Sequence, residues 1–460
     1  MQSDPYDIVV IGAGVVGCAM ARRFTLDGAR VLVLEKALDV LDGASKGNSA
    51  ILHTGFDAPP GSLEQACISA GYAEYLKIAD SLSLPILKSG AMVIAWTEDQ
   101  LGALPDLIKK AHQNGISNVK ALDRAEILKR EPQLSEDLLG GFEIPGEFLI
   151  DPWCSAHAYI LQALGNGAEL RREAEVLNGE FGPMGWTLNT SIGQVNARQV
   201  INCAGLYGDV VDARLLGAND FTVSPRKGQF VVFDKAASAL VSSIILPVPT
   251  KTTKGIVVCR TIFGNVLVGP TAEDQTSRTN SSTGRSALLD LRARGIEMIP
   301  GLEHCEVTAA YAGLRPATEF SDYQIRHYAD KAYMTVGGIR STGLSAALGI
   351  ARYVSNQLQE TGIKFKPLEN PFIPSPDRLS EYHGRDWQNT GGEGIVCHCE
   401  LVTRREINRV LNGPMSPGSL QGLKRRTRVT MGRCQGFYCT AELAEMTAGK
   451  LKIPIDCSNG

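Results

Sequence analysis

A short apolar run near the start of the chain is followed by glycines and then by a helical pattern. The run Ile8 to Ile11 predicts a buried parallel strand, and the residues after the glycines have helical spacing to about Asp27. Gly28 ends the predicted helix, and Arg30 to Leu34 predict a second apolar strand that ends at Glu35. The chain therefore begins with a strand–helix–strand unit.

The glycines between the first strand and the first helix have the spacing GxGxxG. Gly12 lets the chain turn, Gly14 lets the backbone approach a pyrophosphate, and Gly17 lets the helix pack closely on the strand. The free N–H groups and the positive dipole end of the helix favour an anion there. Glu35 can accept hydrogen bonds from an adenosine ribose, and Lys36 follows it. A chance glycine turn is the alternative, but the flanking strand, helix and acid favour a dinucleotide site.

Segments of the same kind recur in the middle and at the end of the chain, separated by two stretches that mix strands and helices. We predict an α/β fold: a Rossmann-like nucleotide-binding domain with an inserted α+β substrate domain and a small C-terminal helical module. The linker before that module is rich in proline. The predicted segments are 1–84, 151–220 and 331–365 for the nucleotide-binding domain, 85–150 and 221–330 for the substrate domain, 366–393 for the linker and 394–460 for the module.

Composition excludes only a few classes of function. The chain has 460 residues, 44% of them hydrophobic and 21% charged, which is ordinary for a globular protein of two or three domains. A net charge of −3 gives no case for a nucleic-acid partner. We see no signal peptide and no apolar segment long enough to span a bilayer. We therefore expect a cytoplasmic protein, with any membrane association peripheral and through a partner.

The cysteines near the end of the chain form a CxC pair and a Cx4C pair: Cys397, Cys399, Cys434 and Cys439. Four thiolates from two short loops can hold either a tetrahedral zinc ion or an iron–sulfur cluster. The spacing departs from the paired CxxC of structural zinc sites and favours a [2Fe–2S] cluster, with zinc left as the alternative. The other six cysteines between Cys18 and Cys305 are predicted to be small buried hydrophobes.

Basic residues precede the second cysteine pair. A positive field there would stabilise an anionic cluster and raise its potential, whereas a solvated basic face is the alternative. The residues are Lys424, Arg425, Arg426, Arg428 and Arg433.

Two resemblances follow from these motifs. The stretch Ile395 to Thr447 resembles the bacterioferritin-associated-ferredoxin type of [2Fe–2S] domain. The stretch Tyr6 to Thr361 resembles the D-amino-acid-oxidase-like family of FAD-dependent dehydrogenases, in its glycerol-3-phosphate and L-2-hydroxyglutarate dehydrogenase branch. The motifs of that branch are Asn48 to His53, Pro60 to Leu63, Lys254–Gly255, Gly269 to Asp274, Gly313 to Pro316 and Arg340 to Ser345. The resemblance implies FAD as the bound dinucleotide and a [2Fe–2S] cluster as a second cofactor.

Polar loops supply the predicted flavin contacts. The loop Ser45 to Ser49 can wrap the ribityl-phosphate side of the flavin with hydroxyl and backbone donors. The glycines at the start of the last helix can donate N–H groups to the flavin ring and stabilise its reduced form. The whole predicted cofactor set, beyond the first motif, is Ser45, Asn48, Ser49, Ala204, Gly205, Gly313, Gly338, Arg340, Gly343, Leu344 and Ser345.

A dehydrogenase that oxidises an alcohol needs a base, and an anionic substrate needs cations. His53 can take the hydroxyl proton, although a loop histidine that only touches the flavin is an equal alternative. Arg315, Arg340 and Lys254 are candidates to hold a carboxylate or phosphate, and ordinary ion pairs are the alternative for each alone. His327 and Tyr311 are weaker candidates, for which we expect core or wall roles.

The predicted activity is oxidation of the secondary hydroxyl of a small anionic substrate. Glycerol 3-phosphate is the first candidate and L-2-hydroxyglutarate the second, with electrons leaving through the cluster to a quinone, an acceptor protein or a partner subunit. The cluster favours a dehydrogenase over an oxidase, since an oxidase delivers electrons directly to O₂. Two alternatives remain open: oxidation of a C–N bond in an opine or amino acid, and an electron-relay subunit with no substrate of its own.

Overall fold

The predicted strand–helix–strand unit forms the centre of the larger part of the molecule. The computed structural model describes residues 4–249, 255–391 and 393–455. Its helices are α1 (Val15–Leu26), α2 (Leu63–Ile78), α3 (Glu98–Gln113), α4 (Arg124–Arg130), α5 (Cys154–Gly165), α6 (Gly208–Leu216), α7 (Arg285–Met298), α8 (Gly343–Glu360), α9 (Arg404–Leu411), α10 (Leu420–Thr427) and α11 (Thr440–Thr447).

In the described residues, the strands lie in four sheets. They are β1 (Tyr6–Ile11), β2 (Val31–Leu34), β3 (Ile51–Leu52), β4 (Ile86–Leu87), β5 (Ala91–Ala95), β6 (Lys120–Asp123), β7 (Gly140–Ile144), β8 (Phe148–Ile150), β9 (Glu169–Arg171), β10 (Val176–Gly182), β11 (Gly185–Thr190), β12 (Gly193–Asn202), β13 (Ser224–Phe233), β14 (Ile244–Pro247), β15 (Val257–Arg260), β16 (Val266–Gly269), β17 (Glu273–Asp274), β18 (Val307–Ala317), β19 (Gln324–Tyr328), β20 (Tyr333–Gly337), β21 (Ile395–Cys397) and β22 (Val402–Thr403).

The centre of the first sheet is parallel and consists of β9, β2, β1, β12 and β20. The β10–β11 hairpin pairs antiparallel with β12, and β19 pairs antiparallel with β20. Helices α1, α2, α5 and α8 cover one face with a continuous apolar core, and Trp186 and Tyr333 belong to a second core on the other face. Because the central strands are parallel, their carboxyl ends meet at one edge of the sheet. That edge is where an α/β fold of this kind binds its ligand.

The second sheet has nine strands in the order β17-β13-β16-β15-β14-β5-β7-β6, with β18 paired to β13. Apolar side chains of α7 pack on one of its faces, and those of α3 pack on the other. This sheet forms the substrate-type domain that the sequence predicts between the nucleotide-type segments. The predicted α/β class with an inserted α+β domain is confirmed.

Two strand pairings join residues that the sequence assigns to different predicted domain segments. Strand β19 pairs with β20 in the first sheet, although it lies within the predicted substrate segment 221–330. Strand β3 pairs with β8, which pairs with β4, so that a separate three-stranded sheet joins the predicted segments 1–84 and 85–150. The other boundaries of the division stay predictions.

Residues 366–391 of the proline-rich segment pack on the rest of the chain. The carbonyl oxygen of Phe372 accepts hydrogen bonds from the side-chain amides of Gln162 and Asn166, at 3.2 and 2.9 Å. Further on, the Asp386 carboxylate accepts a hydrogen bond from the Thr403 hydroxyl of the C-terminal module. This segment therefore connects the nucleotide-binding domain to the module through contacts along its length.

The C-terminal module is a small unit built from the β21–β22 hairpin and helices α9, α10 and α11. Its core comprises apolar residues from each of these elements, including Val396, Ile407, Leu423 and Leu443. Helix α9 begins with a capping box, in which Thr403 and Glu406 bond reciprocally. In the described part of the chain, none of the helices meets the length and hydropathy needed to cross a bilayer.

The scattered cysteines behave as predicted. Cys18, Cys67, Cys154, Cys203 and Cys259 are buried, and Cys305 is half-buried. Burial raises the pKa of the Cys18 and Cys203 thiols. These thiols are therefore neutral packing groups at physiological pH.

Candidate flavin, substrate and cluster sites

The carboxyl ends of the central parallel strands open into a cavity of about 1000 Å³ that reaches from the first sheet to the second. Residues that follow β1, β2, β12 and β20 line it, and so do residues of β13 and β18 from the second sheet. The predicted cofactor residues on its wall are Gly12, Gly14, Glu35, Lys36, Ser45, Asn48, Ser49, Ala204, Gly205, Gly313, Gly338, Arg340, Gly343 and Leu344.

The glycine turn after β1 is too close to its neighbours to accept side chains. Gly12 has a φ of +101°, and a Cβ built on it would lie 2.6 Å from the carbonyl oxygen of Cys203. Gly17 is absent from the cavity wall, and its own Cβ would lie 1.8 Å from the Gly12 carbonyl oxygen. Gly17 thus permits the close packing of α1 on the turn, while Gly12 and Gly14 leave room for a ligand.

The start of α1 faces the cavity with a hydroxyl beside it. The Ser45 hydroxyl accepts a hydrogen bond from the Val15 N–H at 3.0 Å. This N–H belongs to the first turn of α1, where backbone donors have no partner within the helix. Ser45 therefore connects a loop of the cavity wall to the helix end that an anion would approach.

At the end of β2, Glu35 and Lys36 line the same wall. The Glu35 carboxylate accepts hydrogen bonds from the Ala13 and Ala37 N–H groups at 2.7 and 2.8 Å. Burial raises the pKa of Glu35, and these two N–H groups oppose the rise. The Lys36 ammonium lies 3.1 Å from the centre of the Tyr207 ring, which holds it by a cation–π interaction.

The loop that carries Asn48 touches the second sheet. The Tyr311 hydroxyl donates a 2.6 Å hydrogen bond to the Asn48 carbonyl oxygen, and the Tyr311 ring stacks on Phe230. A Cβ on Gly313 would lie 2.3 Å from the carbonyl oxygen of Gly47. Tyr311 therefore has the supporting role that the sequence suggests, and Gly313 allows the two backbones to meet.

His53 lies on the cavity wall and is held by a buried carboxylate. Its Nδ1 is 2.8 Å from Oε2 of Glu147, which is fully buried. The other oxygen of Glu147 accepts from the N–H and the hydroxyl of Thr54 at 2.6 and 2.7 Å. Because the carboxylate is an acceptor in every one of these bonds, His53 Nδ1 is the donor, and in the neutral imidazole Nε2 is then the nitrogen without a proton. Nε2 is then the ring nitrogen available to a ligand in the cavity.

Ser345 holds the backbone of His53 and is absent from the cavity wall. Its hydroxyl accepts a 2.8 Å hydrogen bond from the His53 N–H and lies 3.3 Å from the Ile51 carbonyl oxygen. The predicted flavin contact of Ser345 stays a prediction. Its observed role is to fix the loop that carries His53.

Arg315 lies on β18 and lines the cavity. Among the described residues, no carboxylate lies within ion-pair distance of its guanidinium. Its guanidinium nitrogens are 3.4 and 3.5 Å from the Thr271 carbonyl oxygen, and Gly228 leaves it room, since a Cβ there would lie 2.6 Å from Nη2. Burial lowers the pKa of Arg315 to about 10. The guanidinium is therefore charged at neutral pH, and an anion that entered the cavity would stabilise it.

The other predicted cations differ from Arg315. Arg340 lines the cavity but is 3.7 Å from the carboxylate of Glu64. Lys254 lies outside the described residues. Lys110 of α3, which the sequence analysis does not single out, lines the cavity and likewise has no carboxylate within ion-pair distance in the described part of the chain. His327 lies on β19, away from this wall, and burial lowers its pKa.

The cysteines of the module come together as two pairs. Cys399 lies beside Cys434, and Cys439 lies beside Cys397; burial and the neighbouring thiol raise the pKa of Cys399, and likewise that of Cys439. The backbone N–H of Tyr438, with those of Gly436 and Phe437, lowers the pKa of Cys434, while burial opposes it. Within the described residues, no three or more His, Cys, Asp and Glu side chains are grouped to hold a single ion. Two pairs of thiols with N–H donors at the sulfur fit a two-iron cluster, in which each iron takes two cysteines.

Four of the basic residues before the second cysteine pair are paired with carboxylates. Buried Arg425, Arg426 and Arg428 reach Asp42, Asp39 and Glu400, and exposed Arg433 reaches Asp234. Burial lowers the pKa of Lys424, and the Cys439 thiol near it opposes that shift. The three buried arginines therefore do not form a solvated face, and the positive field at the cluster stays a prediction.

Comparisons with known proteins agree with this geometry. The family model of FAD dependent oxidoreductases matches residues 7–357, and that of the BFD-like [2Fe-2S] binding domain matches residues 395–448. The chain belongs to the FAD dependent oxidoreductase family. It therefore carries FAD and a [2Fe–2S] cluster, and the predicted resemblance and both predicted cofactors are confirmed.

Three relatives illustrate the similarity. A glycerol 3-phosphate dehydrogenase of Caloramator mitchellensis is 32% identical over 97% of this chain and 95% of its own length. An L-2-hydroxyglutarate dehydrogenase of Indibacter alkaliphilus is 26% identical over 58% of this chain and 68% of its own length. The structure of an L-alpha-glycerophosphate oxidase from Mycoplasma pneumoniae with FAD bound superposes with a TM-score of 0.74, at 27% identity over 80% of this chain and 97% of that one.

Sequence reasoning missed two residues of this oxidoreductase, Glu147 and Lys110. Glu147 follows Pro145–Gly146 and precedes the apolar strand β8, so that its sequence context indicates an ordinary turn. An acidic residue directly before a buried strand is the weak signal that could have drawn attention to it. Lys110 lies among other charged residues of an amphipathic helix, and nothing in the sequence separates it from them.

Proposed function

We propose that this FAD-dependent dehydrogenase oxidises the secondary hydroxyl of glycerol 3-phosphate to the ketone. The observation that carries the proposal is the presence, in one cavity, of the half-buried Arg315 guanidinium and the His53–Glu147 pair. A substrate with an anionic group at one end and an alcohol at the other needs both features. The similarity to the Caloramator dehydrogenase supports the same substrate.

Arg315 binds the anionic end of the substrate. A guanidinium can donate two parallel hydrogen bonds to a phosphate or a carboxylate, and such a charge-assisted pair gains strength where water is excluded. Lys110 adds a second positive charge on the wall, and it attracts the anion as a point charge. Arg340 contributes less, because Glu64 already balances its charge.

His53 takes the proton of the hydroxyl. With Nδ1–H donated to Glu147, the free Nε2 accepts that proton as the C–H bond breaks, and the buried carboxylate stabilises the imidazolium that forms. FAD, when bound, supplies the acceptor for the hydride of the same carbon. The substrate thus loses one proton to His53 and one hydride to the cofactor, which balances its oxidation to a ketone.

Electrons leave through the cluster module to a separate acceptor. Phe437 and Tyr438 follow Cys434 in the chain, and they are 83% and 76% exposed, with their rings packed edge to face. Large exposed apolar side chains next to a redox centre suit the docking of a protein acceptor. We propose that a protein acceptor binds this face and that a quinone receives electrons only beyond it.

L-2-Hydroxyglutarate is the second candidate, since its carboxylates would suit Arg315 and the Indibacter relative carries that name. Anaerobic mixing of the holoenzyme with single substrates separates the candidates through bleaching of the flavin absorbance band. We expect the fastest bleaching with glycerol 3-phosphate and slower or none with L-2-hydroxyglutarate. Bleaching by an opine or amino acid alone, or by no substrate, would contradict the proposal.

A matched variant completes the test. His53→Asn removes the base without removing polarity, so we expect it to slow bleaching by the alcohol by about 10²–10⁴-fold, the usual contribution of general base catalysis. Unchanged bleaching in this variant would show that the substrate arrives with no proton to lose, as a neutral amine does.

A further inference from the structure

One face of the C-terminal module packs against a loop of the FAD cavity. We call residues 38–49 the wall loop. Within it, Asp39 is 1% exposed and accepts hydrogen bonds from the Gly418 N–H and the Ser419 hydroxyl of the module, at 3.1 and 2.7 Å. Gly422 of α10 has no room for a side chain, because its Cβ would lie 2.4 Å from the Asp39 carboxylate.

Two buried arginines of α10 find their partners on the wall loop. Arg426 Nη1 is 3.3 Å from the Asp39 carboxylate, and Arg425 is 3.3 Å from both the Asp42 carboxylate and the Val40 carbonyl oxygen. Burial lowers the pKa of Arg425 and that of Arg426, the latter to about 10. A buried charge is costly without its partner, so the arginines and the wall loop depend on each other.

A second contact reaches the same loop from the other side of the module. The Arg428 guanidinium lies 3.8 Å from the centre of the Phe263 ring, and Phe263 stacks on Trp153 with ring centres 6.0 Å apart. The Trp153 indole N–H donates a 3.1 Å hydrogen bond to the Lys46 carbonyl oxygen. The module therefore supports the wall loop at both ends.

The opposite side of the wall loop faces the cavity. Asp42, Ala44, Ser45 and Lys46 line it, and Ser45 also accepts the hydrogen bond from Val15 at the start of α1. A shift of the loop would therefore move groups at the cofactor cavity.

We propose that Arg425 and Arg426 are positioning residues for FAD: the cluster module holds the wall loop in the conformation that binds the flavin cofactor. The affinity for FAD then depends on docking of the module, and FAD in turn stabilises the docked module, because coupling between two sites is reciprocal. This inference goes beyond the proposed substrate and depends only on the two cofactors.

The test measures FAD release from the full-length holoenzyme. Free flavin is followed by its fluorescence as the enzyme is diluted, which gives the Kd for FAD. We expect Arg426→Gln and Arg425→Gln each to raise this Kd by about tenfold, within the ~5–150-fold span common for coupled sites. The matched control is Arg404→Gln, which breaks a half-exposed ion pair with Glu442 that lies wholly within the module and should leave the Kd unchanged.

Two further measurements separate positioning from a general loss of structure. The electron paramagnetic resonance signal of the reduced cluster reports an intact module, and we expect it to persist in Arg425→Gln. Arg426→Lys, which restores the charge, should recover part of the FAD affinity.

A double-mutant cycle tests the partner directly, with the exposed and milder Asp42→Asn as the second change. If Arg425 acts through Asp42, the Kd of the double variant for FAD should be no higher than the higher of the two Kd values of the single variants Arg425→Gln and Asp42→Asn. Additive losses, or a Kd in Arg425→Gln and Arg426→Gln equal to that of Arg404→Gln, would overturn the proposal. Neither result depends on which substrate the enzyme oxidises.

Discussion

The tautomer of His53 depends on one buried carboxylate. Glu147 accepts three hydrogen bonds in the structure, from His53 Nδ1, the Thr54 N–H and the Thr54 hydroxyl. A carboxylate can satisfy all three because it has only acceptor sites. An amide of the same shape cannot, since one of its two ends is a donor.

Glu147→Gln should therefore invert the roles of the His53 nitrogens. The amide oxygen would stay with the two Thr54 donors, so the NH₂ group would face Nδ1 and leave the proton on Nε2. We expect kcat to fall by about 10²–10⁴-fold, with a much smaller change in KM, because the base is lost but the anion site is intact. Steady-state kinetics with the bleaching substrate measures this.

Thr54→Val is the control for that variant. It removes one hydroxyl donor but keeps the Thr54 backbone N–H and the Glu147 carboxylate, so kcat should change far less than in Glu147→Gln. Equal losses in the two variants would mean that Glu147 acts through packing.

Arg315→Met should weaken substrate binding selectively. Hydrogen bonds to a charged group are worth about 1.5–3 kcal/mol, so we expect KM for the anionic substrate to rise by about 10–100-fold. Arg226→Gln is the matched control, since Arg226 lines the same cavity but is paired with Asp274, and its KM should remain near that of the natural enzyme. A similar rise in both variants would indicate a diffuse field and no specific anion site.

At the residue scale, the sequence predicts groups whose signals are local. Gly12, Gly14 and the four module cysteines were predictable because each motif lies within a few positions. Glu147 was not, since its partner His53 is 94 residues away and contact between them depends on strands β3 and β8 pairing. Ser345 was assigned to the flavin because a helix start is a general donor site, whereas its hydroxyl bonds the His53 backbone.

The elements around His53 are positioned by close helix packing. Helices α2 and α8 meet at glycines, and a Cβ on Gly349 would lie 2.0 Å from the carbonyl oxygen of Cys67. Helix α8 begins with the segment that carries Ser345, which bonds the His53 N–H. The spacing of these two helices therefore sets the position of His53, the proposed base.

Gly349→Ala should push α8 away from α2. Overpacking of this kind costs about 1–3 kcal/mol, and we expect the free energy of unfolding to fall by that amount, together with kcat. Denaturant unfolding and kinetics measure the two effects. Gly102→Ala in α3, where a Cβ meets nothing within 4 Å, should instead be neutral or stabilise by up to ~1 kcal/mol. Equal stability of the two variants would contradict the packing argument.

At the element scale, hydrophobic spacing predicted most helices and strands to within a few residues. Helix α1, for example, was expected to run to about Asp27 and spans Val15–Leu26. Partner choice was less predictable: Ser62 caps α2, but the Gln65 side chain reaches the Asn114 carbonyl oxygen and does not return to Ser62. Sheet membership of β19 depended equally on contacts that local spacing does not encode.

For the whole molecule, the proposed function divides the reaction between the two cofactors. Cys434→Ser removes a cluster ligand, so the substrate should still bleach the flavin band when FAD is in excess, while turnover with a protein acceptor should fall to background. Cys305→Ser, at a half-buried cysteine outside the module, should leave both measurements unchanged. Turnover with the protein acceptor that survives in Cys434→Ser would show that electrons bypass the module.

The arrangement of domains was predictable in outline and its contacts were not. Composition and motif order indicated an inserted domain and a separate cysteine module. The docking of that module rests on ion pairs such as Arg426 with Asp39, which are 387 residues apart. The sequence alone predicts each residue of such a pair to be an ordinary surface charge.

The module also touches the second sheet's domain, through Arg433 with Asp234 and Glu400 with Lys235, as well as the wall loop. Because the cluster module contacts two domains of the chain that binds FAD, the cluster does not have to find the flavin by diffusion. One chain carries both sites, so the ratio of cluster to flavin is fixed at synthesis. The effective concentration of the cluster is set by the covalent connection. In each catalytic cycle, the substrate and the external acceptor then arrive by diffusion, whereas the cluster is already in place.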